Sequence, residues 1–200
     1  MHGLINRAIE RFVRDTYGAH AWAQIARRAG LDFAEFEAML IYEPTLTHAV
    51  LAAAAEELER PAPDILEDIG TYLVSHPNVE ALRRLLRFGG ETFTEFLYSL
   101  DDLPERARLA VSDLDLPRLE LREEGADRYS LVCRGETPGF GHVVMGLLRA
   151  MADDYGALVV LDHKGAVDGG AADGAEVIDI SLLTTEHAAG RRFDLAARVG

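Results

Sequence analysis

The chain has 200 residues, 34 acidic against 20 basic side chains, and a formal net charge of −14. So negative a surface repels phosphate backbones and anionic membranes, which excludes nucleic acid and anionic lipid as expected partners. With 48% hydrophobic residues a sizeable core is available, and disorder is not expected. A single cysteine, Cys133, rules out an internal disulfide and suits a reducing compartment. No signal pattern opens the chain and no apolar run reaches the ~20 residues of a membrane span, so a cytoplasmic protein is expected.

In chain order, Gly3–Tyr17 places Leu4, Ile5, Ala8, Ile9, Phe12 and Val13 on one helical face. Gly18 ends that helix, and a second spans about Ala19–Ala29. Asp32 would cap a short helix over Phe33–Leu40. Pro44 and Thr45 read as a turn before an Ala-rich helix, Thr47–Glu59. Asp64 would cap Ile65–Ser75, His76-Pro77-Asn78 breaks the pattern, and Val79–Phe88 is again helical.

From Glu91 the pattern continues through Phe93, Phe96, Leu97, Leu100 and Leu103 to Pro104, where a helix must stop, kink or restart. After Pro117 the period changes from 3.6 to 2. Leu119–Arg122 and Tyr129–Arg134 read as strands joined by a hairpin turn at Gly125–Asp127. Gly141–Tyr155 is an amphipathic helix, and Leu158–His163 and Glu176–Leu183 are strands around a Gly/Ala/Asp loop, Gly165–Gly174. The expected fold is therefore α+β: a helical N-terminal lobe over 1–116, and an antiparallel sheet lobe over 117–183 covered by one helix. The tail 184–200 receives no assignment.

Several stretches resemble one family in order and spacing. M-H-G-L-I-N is similar to an M-x-G-hydrophobic-hydrophobic-N opening, and D-T-Y-G-A-H-A-W to x-x-Y-G-x-x-x-W. Phe93, Glu95, Phe96, Leu97, Leu100, Asp101 and Leu103 match F-x-E-F-L-x-x-L-D-x-L. Together they resemble the heme–nitric oxide/oxygen binding (H-NOX) domains of bacterial gas sensors and of the soluble guanylate cyclase beta subunit, over about Met1–Leu183.

The resemblance implies a heme pocket, NO or O2 sensing, and a stand-alone sensor that signals to a partner such as a histidine kinase or a cyclic-dinucleotide enzyme. It places His2 near the cofactor edge, Ile5 and Ile9 in the distal pocket, and Pro117 where the family presses a proline on the porphyrin. Two positions depart. In L-D-D-L-P the residue matching the axial histidine is Pro104, which has no lone pair for iron. The propionate clamp Y-x-S-x-R falls on Cys133, Gly135 and Thr137, so its hydroxyls and guanidinium are replaced. Arg134 is adjacent, but strand alternation turns it away from the side of Cys133.

Re-sourced ligation would fall to a histidine or to Cys133. For every histidine, and for Cys133 as a small buried hydrophobe, the structural role outweighs the ligand role. No pair of histidines has H-x-x-x-H spacing, and a single cysteine forbids a cysteine-based zinc site. No nucleophile sits beside a base in sequence, so catalysis is not expected. The alternatives to a heme sensor are a heme-free interaction module packed with its own side chains, or a pocket for a different tetrapyrrole or apolar ligand. An open slot beside Pro104 would distinguish a binding pocket from a packed module.

Overall fold

The computed structural model describes residues 1–135, 139–166 and 175–191. Thr137, most of the Gly165–Gly174 loop and the end of the tail, all singled out in the sequence, lie outside the described residues.

The order of elements is α1 (Gly3–Arg28), α2 (Pro44–Leu58), α3 (Ala62–Ser75), a short 3-10 turn (Pro77–Val79), α4 (Glu80–Arg87), α5 (Phe93–Tyr98) and α6 (Leu103–Ala110). Then follow β1 (Arg118–Gly125), β2 (Arg128–Arg134), α7 (Phe140–Tyr155), β3 (Leu158–Ala166) and β4 (Glu176–Thr184). Within α1 the backbone breaks at Gly18 (φ 91°, ψ 165°), so the two expected helices run on as one kinked element.

The short helix expected over Phe33–Leu40 does not form. Its backbone groups are claimed by α1 side chains. Phe36 N donates to Glu10 Oε2 (2.9 Å), Phe36 O accepts from Arg7 Nη1 (2.7 Å), and Ala34 O accepts from Trp22 Nε1 (3.1 Å). With these long-range partners, helical i→i−4 bonds are not needed to satisfy the segment. The resulting loop lies against the start of α1, where Gly3 N donates to Leu40 O at 2.7 Å and His2 bridges Ile41. Pro44 starts α2 rather than preceding it, and Pro61, not Asp64, stands at the N-cap of α3.

Pro104 interrupts nothing. α5, opened by a Thr92–Glu95 capping box, ends at Tyr98, and Pro104 is the second residue of α6. The first amides of a helix have no intrahelical acceptor, so a proline there costs no bond.

The four strands form one antiparallel sheet in the order β1-β2-β4-β3. Alternate residues of the two central strands, Tyr129, Leu131 and Cys133 with Ile178, Ile180 and Leu182, enter the same core as Leu148 and Met151 of α7.

Buried side chains form two clusters rather than one. The first joins α1, α2, the Phe36 loop and most of α3; the second joins the sheet, α7, α4 and α5. Among the fully buried residues the change of cluster falls inside α3, between Tyr72 and Val74. Phe93, Phe96, Leu97 and Leu100 are all but fully buried in the sheet-side cluster. At roughly 1.5–3 kcal/mol for each such side chain, that burial draws α5 to the sheet despite its helical neighbours in sequence.

Where α3 crosses α7, the approach needs bare backbone. A Cβ on Gly146 would stand 1.8 Å from Glu67 O, and one on Gly70 would stand 2.0 Å from Val143 O. This crossing closes the space between the two clusters along one wall. Among the described residues, no helix is long and apolar enough to cross a membrane.

Candidate ligand cavity

A cavity of about 540 Å³ lies between the two clusters. Leu4, Ile5, Ala8 and Ile9 of α1 form one side, and Leu66, Ile69 and Leu73 of α3 with Val143, Val144 and Leu147 of α7 form the glycine-closed wall. α4 adds Leu82, Leu85 and Leu86. The segment after α5 supplies Leu100, Leu103, Pro104, Ala107, Val111, Leu114, Leu116 and Pro117. The size and apolar lining are those of a site for a small organic molecule.

Of the six candidates from the sequence, Ile5, Ile9, Pro104 and Pro117 meet at this cavity. Pro104 and Pro117 are both buried.

His2 is close by but opens elsewhere. It caps α1 through Nδ1, which accepts from Leu4 N at 3.2 Å, and it lines a second, polar chamber of about 700 Å³. Cys133 lines neither space. The alternation of β2 turns it into the core between sheet and α7, while Arg134 points to the other side, as expected, and there lines the polar chamber. Burial, with a smaller contribution from the Glu176 carboxylate, pushes the Cys133 thiol up to about 12, so it stays protonated and is no thiolate ligand.

The donor set decides what the apolar cavity can hold. Among its described lining residues there is no histidine, cysteine, methionine, lysine or carboxylate. Tyr72 carries the only phenol, and its hydroxyl is committed outward to Asp15 Oδ2 at 2.5 Å. Burial and that bond raise the Tyr72 phenol above its ordinary value, so it is not an anionic oxygen. The polar side chains of the described lining are Arg7, Arg11, Thr47 and Tyr72, none of them a usual neutral or anionic axial donor to heme iron as held here.

The Asp15 contact ties one wall of the cavity to a titratable carboxyl. Bonds from Tyr72 and from Asn78 Nδ2 (2.9 Å) hold the Asp15 carboxyl below the ordinary 3.8. A depressed pKa contributes stability above the unfolded value, and that stability is lost as pH falls through the folded value. Wild type is therefore expected to lose Tm more steeply than Asp15→Asn below about pH 4, read in melts between about pH 5 and 3. Parallel curves would show that the Tyr72–Asp15 bond does not contribute to holding the wall.

His76, His142 and His163 are engaged in packing and hydrogen-bonding contacts. His76 stacks on Tyr72 (4.8 Å) and accepts from Asn78 N, and His142 stacks on His163 (4.0 Å). His163 Nε2 meets Glu176 Oε2 at 2.9 Å, and that carboxylate also accepts from Gly139 N and Gly141 N at the start of α7. His48 lines the polar chamber. Among the described residues no group of three or more His, Cys, Asp or Glu side chains is placed to hold a metal ion. Asp101 Oδ1 accepts from Leu121 N (2.8 Å), which ties the turn before α6 to β1.

The sequence missed the polar chamber. Its arginines, Arg108, Arg118 and Arg134, come from α6, β1 and β2 and are not neighbours in any motif.

Comparison with known proteins agrees with this architecture. The Haem-NO-binding family model matches residues 2–163. The chain is 26% identical over 154 residues to soluble guanylate cyclase gcy-31 of Caenorhabditis elegans, covering 77% of this chain and 22% of that protein. It is 32% identical over 92 residues to guanylate cyclase soluble subunit beta-2 of Rattus norvegicus, covering 46% and 13%. The chain thus spans about a quarter or less of the length of these curated relatives. An H-NOX protein from S. oneidensis in the Fe(II) ligation state superposes with a TM-score of 0.77 at 18% identity, covering 93% of this chain and 98% of that one. A mutant of T. tengcongensis H-NOX gives 0.76 at 13% identity, covering 92% and 99%. At such identities the structural likeness shows the fold.

Proposed function

Because the chain belongs to the Haem-NO-binding family, we propose that residues 1–183 are a sensory ligand-binding domain whose ligand seat is the cavity between the two clusters. The observation that carries this reading is an open space of about 540 Å³ beside Pro104, walled mainly by apolar side chains with Arg7, Arg11, Thr47 and Tyr72 among them. A module that filled the slot with its own side chains would leave no such space. The role is regulatory rather than catalytic. Output passes to a signalling partner, in keeping with the guanylate cyclases among its relatives, and a histidine kinase or a cyclic-dinucleotide enzyme suits the same role.

Family chemistry through heme iron, with NO or O2 as the signal, would need an axial donor that this cavity lacks. The seat is therefore read as one for a flat apolar ligand held by burial and stacking, a tetrapyrrole foremost. Ligand in the seat touches both clusters at once, through α1 and α3 on one side and α4, α6 and α7 on the other. Occupancy can then set the relation of the two lobes.

The test is a fluorescence titration with metal-free protoporphyrin IX. Wild type is expected to bind in the micromolar range, and Ala107→Trp, which fills the cavity from α6, is expected to lose about tenfold or more. Equal binding by the two proteins would place the ligand elsewhere. No binding by wild type would favour the packed interaction module.

A further inference from the structure

The segment after β4 turns back onto the end of α7. Residues 187–191 are exposed along their length, yet their backbone is fastened there. His187 N and Ala188 N both donate to Gly156 O, at 2.8 and 3.1 Å, and Arg191 N donates to Asp154 O at 2.9 Å. The last carbonyls of a helix have no intrahelical donor, so this strap caps α7. The approach needs bare backbone on both sides. A Cβ on Gly156 would stand 2.1 Å from Ala188 O, and one on Gly190 would stand 2.7 Å from Asp154 O. Arg191 also brings a cation to the negative end of the α7 dipole, its Nε 3.8 Å from Asp154 Oδ1. The strap lies beyond residue 163, where the family match ends.

Asp154 belongs to the strap and to the frame of the ligand seat at once. Its main-chain carbonyl holds Arg191, while its carboxylate takes Arg83 Nε and Nη2 of α4 at 2.8 and 3.2 Å. α4 and α7 both wall the cavity. A ligand between them braces their spacing, whereas an empty space of about 540 Å³ lets them draw together. Any change in that spacing pulls on Asp154, and so on the strap.

We propose that residues 187–191 are a regulatory latch whose closure on α7 is coupled, through Asp154 and Arg83, to occupancy of the cavity. Ligand closes the latch; its release uncovers the last carbonyls of α7 and frees the strap for a signalling partner. The proposal rests on the ligand-seat reading above. An exposed segment held by a few backbone bonds opens locally at small cost, so a modest coupling is enough to shift it. The linkage is reciprocal: the factor by which ligand favours closure is the factor by which closure favours ligand.

The test is amide hydrogen exchange on the full chain, with and without metal-free protoporphyrin IX, beside a fluorescence titration of the same probe. The amides of His187, Ala188 and Arg191 are expected to exchange about fivefold or more slowly with the porphyrin bound. The end of the β1–β2 hairpin, Gly125–Arg128, does not line the cavity and serves as the reference. Gly190→Ala displaces the strap without touching the cavity lining, and is expected to speed strap exchange and weaken porphyrin binding about fivefold. Arg191→Gln, at a half-exposed side chain, is expected to shift both in the same direction by less. With porphyrin bound, strap exchange that is unchanged, or slowed no more than the hairpin, would overturn the latch and leave the seat standing. So would full porphyrin affinity in a Gly190→Ala chain whose strap exchanges freely. Failure of wild type to bind the porphyrin would overturn the seat and the latch with it.

Discussion

Pro104→His is expected to convert a chain that only weakly associates with hemin into one that ligates it. The readout is a sharpened Soret band and an affinity gain on the order of a hundredfold, about 2.7 kcal/mol. Pro104 is buried and lines the cavity from the second position of α6. Since the helix's first amides have no intrahelical acceptor, histidine there forfeits no ladder bond. The stability lost is mainly the unfolded-state restraint of proline, about 0.4–1 kcal/mol. What it gains is a lone pair in a cavity whose described lining offers no other strong iron donor. Pro104→Ala is the control, because it removes the same ring without adding the imidazole. A folded Pro104→His that binds hemin no better than Pro104→Ala would show that the start of α6 is not turned toward the ligand seat. A ligated spectrum already present in wild type would show that some other residue reaches the iron.

The fold was legible where pattern and burial agree. The change of period after Pro117 gave the strands, and the apolar face of Gly141–Tyr155 gave the covering helix. Where side chains from distant elements take over backbone bonds, local reading failed. Nothing in D-F-A-E-F-E-A-M-L reveals that Glu10, Arg7 and Trp22 will claim Phe36 and Ala34, so a helix was expected there. The packing of α5 was hidden for a related reason. Helical spacing assigned α5 to the helical lobe, but Phe93 and Phe96 have their partners in the sheet-side cluster.

At the site, Ile5, Ile9, Pro104 and Pro117 were found through a family pattern and do converge. Cys133 was named from its alignment to a clamp position, and alternation along β2 turns it into the core instead. The arginine chamber left no local signal at all, because three separate elements assemble it.

Asp154→Ala is expected to cost about 3–5 kcal/mol, the usual penalty for removing one partner of a buried ion pair. Asp153-Asp154 near a helix C-terminus opposes the macrodipole, so Asp154 needs cations, and the fold supplies them. Arg83 Nε and Nη2 meet its carboxylate at 2.8 and 3.2 Å, with Asp154 1% and Arg83 4% exposed. Arg87 Nε and Arg191 Nε approach at 3.7 and 3.8 Å, and the Arg87 guanidinium stands 3.8 Å over the Tyr155 ring. One carboxylate therefore joins α4, the end of α7 and the segment after β4.

Truncation removes both short contacts from the buried Arg83 to Asp154, while Glu80 stays at 3.0 Å. At roughly 2–4 °C per kcal/mol for a chain of this size, Tm should fall by about 6–20 °C. Asp154→Asn, which keeps a hydrogen-bonding shape without the charge, should fall less. The effect should reach the ligand seat, because α4 lends it Leu82, Leu85 and Leu86 while α7 lends it Val143, Val144 and Leu147. If the pair fixes the spacing of those two helices, porphyrin affinity must weaken in Asp154→Ala even at temperatures where the variant is fully folded. A loss of Tm with affinity unchanged would mean that the seat is held by the glycine crossing of α3 and α7 alone.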